Sequence, residues 1–416
     1  MFPPFYWRCL ALGCALAFAA EAPALTLAQA QQRAVERSRQ LAAQGHAAEA
    51  ARDMAVAAAQ LPDPVLKAGV DNLPVSGAER YRIGADSMTM RRIGVMQELT
   101  SSDKRRWRAA RFESEAARSK AAAEALTANI QRDTAIAWLD RYHLERMNAE
   151  LARQLALSRD EITAAEAAYR GGRSGQAVLL DARASLLALE DRATELGLQA
   201  RNAAIMLARW TGEPVDVALD GGADTSSVAV AQATLETALE HHPRVAVLTR
   251  QAELAQAEAG LAQANRTPDW SVEVALQQRG PGFPNMVSFG VSVPLQWDRG
   301  RRQDRELSAR LATAGQAQAE RDEALREHVA EVRSQLAEWQ AGRERIARFE
   351  KEVLPLANAR TGAVLAAYRG GKASLAEVLA ARRTESEQRL QAMQLERDNA
   401  RVWAQLTYIL PAKGHP

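Results

Sequence analysis

The chain has 416 residues, enough for two domains of ordinary size, and its 53 basic and 51 acidic side chains nearly cancel. That balance removes any bulk-charge argument for nucleic-acid binding. Aromatics make up only 5%, while Ala, Leu, Glu, Gln and Arg dominate, a composition of long helices with thin small-residue seams rather than of a thick globular core.

The first element, residues 1–24, sets Arg8 before the apolar run CLALGCALAFAA and then small residues to Ala24. It reads as a secretory signal, with cleavage placed at 19 or 24. Both cysteines, Cys9 and Cys14, lie inside it, and Ala11-Leu12-Gly13 is a poor lipobox for Cys14. A chain cleaved there has no cysteine, which excludes a disulfide framework and a thiolate metal site. No later stretch approaches the ~18 apolar residues of a spanning helix.

The rest reads as two structural repeats, 25–210 and 233–410, joined by a Gly-, Pro-, Asp- and Ser-rich linker at 211–232 and followed by a short tail at 411–416. Each repeat opens on a Thr-Leu-led helical segment, TLAQAQQRAVERSRQLAAQ from Thr26 and TLETALEHHPRVAVL from Thr234. Each then meets a Pro-Asp breaker, LPDP at Leu61 and RTPDW at Arg266, and a pair of β-like runs, about 62–99 and 268–297.

In the second pair, Trp270, Val272, Val274 and Leu276 alternate with Ser271, Glu273, Ala275 and Gln277. After the turn RGPGFP, Val287, Phe289, Val291, Val293, Leu295 and Trp297 alternate with small or polar residues. That is a period of two with one apolar face. In the first pair Leu66, Ala68 and Val70 alternate with Lys67, Gly69 and Asp71, whereas MTMRRIGVMQEL (88–99) slips in parity around Arg91 and Arg92. Exported strands of this pattern suit a transmembrane β-barrel, the bland alternative being a soluble hairpin packed on helices. Four strands cannot close on themselves in lipid, so spanning requires several chains to pool their strands.

Between the strand pairs nothing stops a helix from Ser101 to Tyr169 or from Arg299 to Tyr368, runs of roughly 100 Å each. The descending run places Ala182, Leu186, Leu189, Ala193, Leu196, Ala200, Ala203, Leu207 and Trp210 at 3,4 spacing, a coiled-coil seam. Leu325, Val329, Val332, Leu336 and Trp339 repeat it, but Glu385 and Gln388 interrupt the matching seam after Ala373.

Each ascending run ends in the same motif. AAYRGGRSGQAVLLDAR starts at Ala167, and AAYRGGKASLAEVLAAR starts 199 residues later at Ala366. Gly171-Gly172 and Gly370-Gly371 can take positive φ to end one helix, and Ser174 or Ser374 can cap the next. The motif is therefore a hairpin turn between a long ascending and a long descending helix.

Tyr-x-x-Gly-x-x-Ser followed by Leu and Ala-x-Arg at Tyr368–Arg382, with Phe289-Gly-Val-Ser-Val-Pro-Leu leading into Arg299-Gly-Arg-Arg, resembles the TolC-type outer-membrane efflux channels. The first tip departs at Gly175 and Gln176, and Thr100-Ser-Ser-Asp-Lys-Arg-Arg replaces the Gly-Arg junction. LPDP…DNLP (61–74) and MTMRRIGVMQEL (88–99) are similar to the heavy-metal branch, which serves resistance–nodulation–division exporters. The resemblance implies a mainly α fold with a small β part: a homotrimer whose helical hairpins form an α-helical barrel joined to a twelve-stranded outer-membrane β-barrel, four strands per chain.

It further implies an equatorial region built partly from 211–232, contact with outer-membrane lipid, and periplasmic tips that constrict the pore. The tips Tyr169, Arg170, Gly171, Gly172, Arg173, Ser174 and Tyr368, Arg369, Gly370, Gly371, Lys372, Ser374 would dock a periplasmic adaptor that links the duct to an inner-membrane transporter. Arg170, Arg173, Asp181, Arg369 and Lys372 are the latch candidates by position.

No catalytic motif, cofactor or metal site is expected. His46, His143, His241, His242, His328 and His415 form no ligating pair in sequence, with His241-His242-Pro243 reading as a helix-to-turn junction, and Met88, Met90 and Met96 read as strand filler. Three readings remain: a passive duct for heavy-metal cations, the same duct serving drug efflux or type I protein secretion, and a periplasmic coiled-coil scaffold without a pore.

Overall fold

The computed structural model describes residues 24–228 and 242–409. The signal reading of 1–23, the segment 229–241 and the tail from 410 lie outside the described residues, as do His241 and His415.

Thr26 starts α1 (Leu27–Arg37) through a capping box with Gln29. Ser38 ends α1 and caps α2 (Arg39–Ala58), its hydroxyl accepting from the Leu41 N–H, so the opening segment is two helices, not one. β1 (Val65–Asp71) and β2 (Met90–Leu99) follow, then α3, Ser102–Arg170, an unbroken helix of 69 residues. The chain turns into α4 (Gln176–Thr211), crosses 212–228, and resumes with α5 (Pro243–Ala264), β3 (Trp270–Gln278) and β4 (Met286–Ser292). The second hairpin is α6 (Gln303–Arg348), α7 (Leu354–Arg369) and α8 (Leu375–Thr407).

The uninterrupted run expected from Arg299 is corrected at both ends of α6. Residues 299–302 form turns, and a π-helical turn, Phe349–Val353, separates α6 from α7. Pro355 is the physical reason: it has no N–H to donate to Lys351 O, and its ring collides with that carbonyl in a regular α-helix. The wider turn accommodates it, with the Leu354 N–H reaching back to Phe349 O.

The strands form one antiparallel sheet in the order β1-β2-β3-β4. On one face Leu66, Val95, Val274 and Phe289 make a row across all four strands, and Ala68, Ile93, Leu276 and Val287 make the next. All eight are exposed. The parity of β2 does not slip. Arg91 lies on the apolar face beside Val70 and Gln278, at one end of the ladder.

The other face is polar. Glu273 accepts from Lys67 at 2.9 Å and also pairs with Arg92, whose guanidinium lies 3.7 Å from Asp71. Gly94 sits on this face because a Cβ there would come within 2.7 Å of the Ala275 methyl.

The largest core cluster lies where α1, α3, α4, α6 and α8 meet the 212–228 segment, around buried Trp138, Leu139, Leu207, Val332, Leu336, Trp339 and Leu406. Trp138 Nε1 donates to Leu25 O at 3.0 Å and Trp403 Nε1 to Ser227 O at 2.8 Å. Leu25 bridges to Leu219 in parallel, so the start of the chain and the inter-repeat segment strap the helices together. Trp138→Ala removes a fully buried ring and the strap's hydrogen bond. It should destabilise the fold by about 3–5 kcal/mol, read as a lowered midpoint in denaturant unfolding of the helical circular-dichroism signal.

Candidate functional site

The tips are built twice by the same backbone logic. At the first, the Arg173 N–H bonds Ala168 O at 2.9 Å and the Gly172 N–H bonds Tyr169 O at 3.0 Å; at the second, Lys372 and Gly371 bond Ala367 and Tyr368 at 2.8 and 3.0 Å. This is the Schellman arrangement, which needs a left-handed residue just past the helix. Only the second glycine of each pair supplies it, Gly172 at φ 68° and Gly371 at φ 71°. Gly171 and Gly370 stay at negative φ, near −82° and −83°.

The next helices start differently. Ser374 caps α8 in a full capping box, with Glu377 Oε2 accepting from the Ser374 N–H at 2.6 Å. That backbone bond, and after it the Ser374 hydroxyl donating to the same oxygen at 2.9 Å, lowers the Glu377 pKa. Ser174 is not a cap: the cap of α4 is Gly175, with no side-chain bond. The second copy places Ser374 and Glu377 where the first has Gly175 and Val178, so the box exists once.

The repeated flanks have a packing role. Ala165, Ala168, Leu179, Ala182 and Leu375 form a buried cluster that joins α3, α4 and α8 just inside the tips. Small side chains let these backbones approach closely. The repeated arginines diverge. Arg183 pairs with Glu166 of its own hairpin at 2.7 Å, lowering the Glu166 pKa chiefly through that hydrogen bond. The second copy has Leu365 at the position matching Glu166, and Arg382 instead pairs with Glu161 across to the first hairpin at 3.0 Å. Burial pushes the Glu161 pKa up against that pairing.

Of the latch candidates, Arg170 pairs with Glu166 at 3.4 Å, while Arg173, Asp181, Arg369 and Lys372 are exposed side chains. Tyr169 and Tyr368 are likewise exposed. The structure thus gathers the two tips at one end of the helices, presenting cationic and aromatic groups around ordered turns.

The residues expected to form membrane strands separate into two sets. Trp270, Val272, Val274, Leu276, Val287, Phe289 and Val291 lie in β3 and β4. Val293, Leu295 and Trp297 do not, because the ladder stops at Ser292 and residues 293–296 carry no regular secondary structure. Alternation persists past the last strand partner, so periodicity alone could not find the strand end.

Among the histidines, His242 caps α5 through Nδ1, which accepts from the Arg244 N–H at 3.2 Å, and its ring centroid lies 4.0 Å from that of His328. The junction read at His242-Pro243 is therefore a helix start. Burial first, then His328, Arg244 and Arg132, hold the His242 pKa down to about 3; burial, Arg146 and Arg397 hold that of His143 down to about 4. No group of three His, Cys, Asp or Glu side chains among the described residues is placed to hold a metal, and no described helix is long and apolar enough to cross a membrane.

Residues 234–411 match the family model described as outer membrane efflux protein. No curated protein matches the chain. The outer membrane protein VceC from Vibrio cholerae is 19% identical with a TM-score of 0.76, over 92% of this chain and 95% of that one. CusC, whose structures describe transmembrane channel formation, is 15% identical with a TM-score of 0.79, over 98% and 99%. The Campylobacter jejuni CmeC outer membrane channel is 14% identical with a TM-score of 0.74, over 94% and 87%. At these identities the likeness is one of fold. The family match is confined to the second half of the chain, and the described chain has the fold of these outer-membrane channels.

Two outcomes are expected here. Gly172→Ala and Gly371→Ala should each cost about 1 kcal/mol or more through the left-handed residue, and Ser374→Ala about 1 kcal/mol through the lost cap, whereas Ser174→Ala should be near neutral. The readout is the rate of trypsin cleavage at the adjoining Arg173, Arg369 and Lys372. Separately, His143 and His242 are neutral in the fold but gain protons below about pH 6.5 when unfolded. Their contribution is complete above that pH and is lost as pH falls toward their folded values. His242→Asn keeps the cap acceptor, so the drop in thermal midpoint between pH 7 and pH 5 should shrink.

Proposed function

We propose that the chain is one subunit of a homotrimeric, passive exit duct in the outer membrane of a Gram-negative bacterium, the terminal channel of a tripartite efflux pump. Three copies pool their strands into a twelve-stranded barrel, and their helical hairpins continue as a tunnel into the periplasm. The observation that carries the reading is the sheet. It has an apolar outer face, a charged and small inner face, and two edges, β1 and β4, that run in opposite directions. Placing β4 beside β1 of a neighbour continues the antiparallel alternation, which lets the sheet close without an odd pair. The inner ion pairs of Glu273 with Lys67 and Arg92 then face a water-filled lumen.

The tips at 169–174 and 368–374 are the docking elements for a periplasmic adaptor, through which an inner-membrane transporter supplies the energy. Exposed Tyr169, Arg170, Tyr368 and Arg369 stand on rigid turns and can meet a partner with little ordering cost. The cargo is heavy-metal cations, exported by a resistance–nodulation–division transporter. That choice rests on the likeness of LPDP…DNLP and MTMRRIGVMQEL to the metal branch. These stretches form the entry to β1, the turn leaving it, and β2.

A charge on each face separates barrel from soluble hairpin. Phe289→Asp, on the apolar face, should abolish assembly in the outer membrane, while Ser288→Asp, on the polar face, should assemble normally; equal behaviour of the two would contradict the barrel. Loss of the chain in its host should sensitise cells to copper, silver, cobalt, zinc or cadmium salts. Sensitisation to drugs alone would leave the duct and overturn its cargo.

A further inference from the structure

The apolar face of the sheet does not end where the ladder does. Beyond Ser292, Val293, Leu295 and Trp297 keep the sequence alternation of Phe289 and Val291 through a segment outside the ladder, and all three are exposed. Trp297 is 89% exposed. Gln296 Nε2 donates to Asn265 O at 3.2 Å and so ties the segment to the end of α5. A neighbouring strand added along the edge would satisfy the backbone here but would leave the outward side chains uncovered.

The chain then turns sharply. The Arg301 and Arg302 N–H groups bond Asp298 O at 3.2 and 3.1 Å, and the Asp304 N–H bonds Arg299 O at 2.9 Å. Arg299 also pairs with Asp304 through its side chain at 3.5 Å. Arg301 and Arg302 are exposed, and their guanidinium groups have no hydrogen bond or ion pair among the described residues. Trp270 is exposed at this same end of the sheet, one residue beyond the Ser271–Ser292 pair.

A chain of apolar side chains, then a projecting indole, then unpaired guanidinium groups on a rigid turn matches the profile of a bilayer from acyl region to phosphate layer. We infer that Trp297, Arg301 and Arg302 form an interfacial anchor that binds the headgroup phosphates of anionic phospholipids in the periplasmic leaflet. The anchor rests on the outer-membrane reading, and it assigns what that reading leaves open: which leaflet and which headgroup chemistry the strand-to-helix junction recognises. The helices start on this side of the sheet, so the leaflet is the periplasmic one. The indole sets the depth of the barrel and the two arginines select charge.

The test reconstitutes the full chain in phosphatidylcholine vesicles and compares spin-labelled phosphatidylglycerol with spin-labelled phosphatidylcholine at the protein surface. At low salt the wild-type chain should prefer the anionic lipid by roughly fivefold for each of the two arginines. The preference should fall toward unity in R301Q/R302Q and return in R301K/R302K, which keeps the charge. A wild-type chain that inserts without preference, or a preference untouched by R301Q/R302Q, would overturn the anchor and leave the duct standing. A chain that fails to insert in the vesicles would overturn the outer-membrane reading, and the anchor with it.

Discussion

Hydrocarbon offers no hydrogen-bond partner, so in a bilayer every N–H and C=O along the free edges of β1 and β4 needs a strand beside it. In the proposed duct that requirement organises the rest of the molecule. Two strands come from each half of the chain and join through the β2–β3 pair, which ties residues on either side of the linker into one sheet. A four-stranded sheet with an apolar outer face is still incomplete, and a curved, closed barrel can be reached only by adding copies. The duplicated sequence serves the same end: each half supplies one hairpin of strands and one hairpin of helices, so both parts of the proposed duct grow together.

The junction between sheet and helices is correspondingly rigid. Asp269, from the second breaker, holds Lys104 at 2.8 Å and accepts from the Ser101 N–H at the start of α3. Arg266 binds Asp304 at 2.8 Å at the start of α6. Lys104 is buried, so its pairing avoids a large desolvation cost rather than adding stability outright. Farther along, the 212–228 segment and the strap at Leu25 fix the helices around Trp138. Below that belt the helices rely on small-residue seams, and α7 buries none of its side chains within the chain. In the proposed trimer that helix finds its cover on a neighbouring copy or on the adaptor.

Much of this was legible in the sequence because it depends on periodicity. The period-two runs at 65–71 and 270–292 are set by which face of the sheet is apolar, and the seam from Ala182 to Trp210 by which face of the helix packs; each of those seam residues is buried or half-buried. What was not legible depends on single residues acting through three-dimensional neighbours. The strand end at Ser292 is marked by no change in alternation. Ser174 looked like a cap but sits one position before Gly175. Pro355 was accommodated by a π-helical turn rather than ending the helix. The repeated arginines at 183 and 382 took different partners because Glu166 in one copy is Leu365 in the other. At the candidate site, composition and motif revealed the turns, whereas the cluster of Ala165, Ala168 and Leu375 beneath them needed coordinates.

The measurement that bears most directly on the central claim is the mass of the complex extracted from isolated outer membranes and purified in detergent. Three chains per particle, aggregating when detergent is withdrawn and failing to assemble when the outer face is charged, is the result the pooled barrel predicts. A water-soluble monomer or dimer recovered from the periplasm would contradict it, and would leave the two Tyr-Arg-Gly-Gly hairpins as turns of a scaffold with no pore.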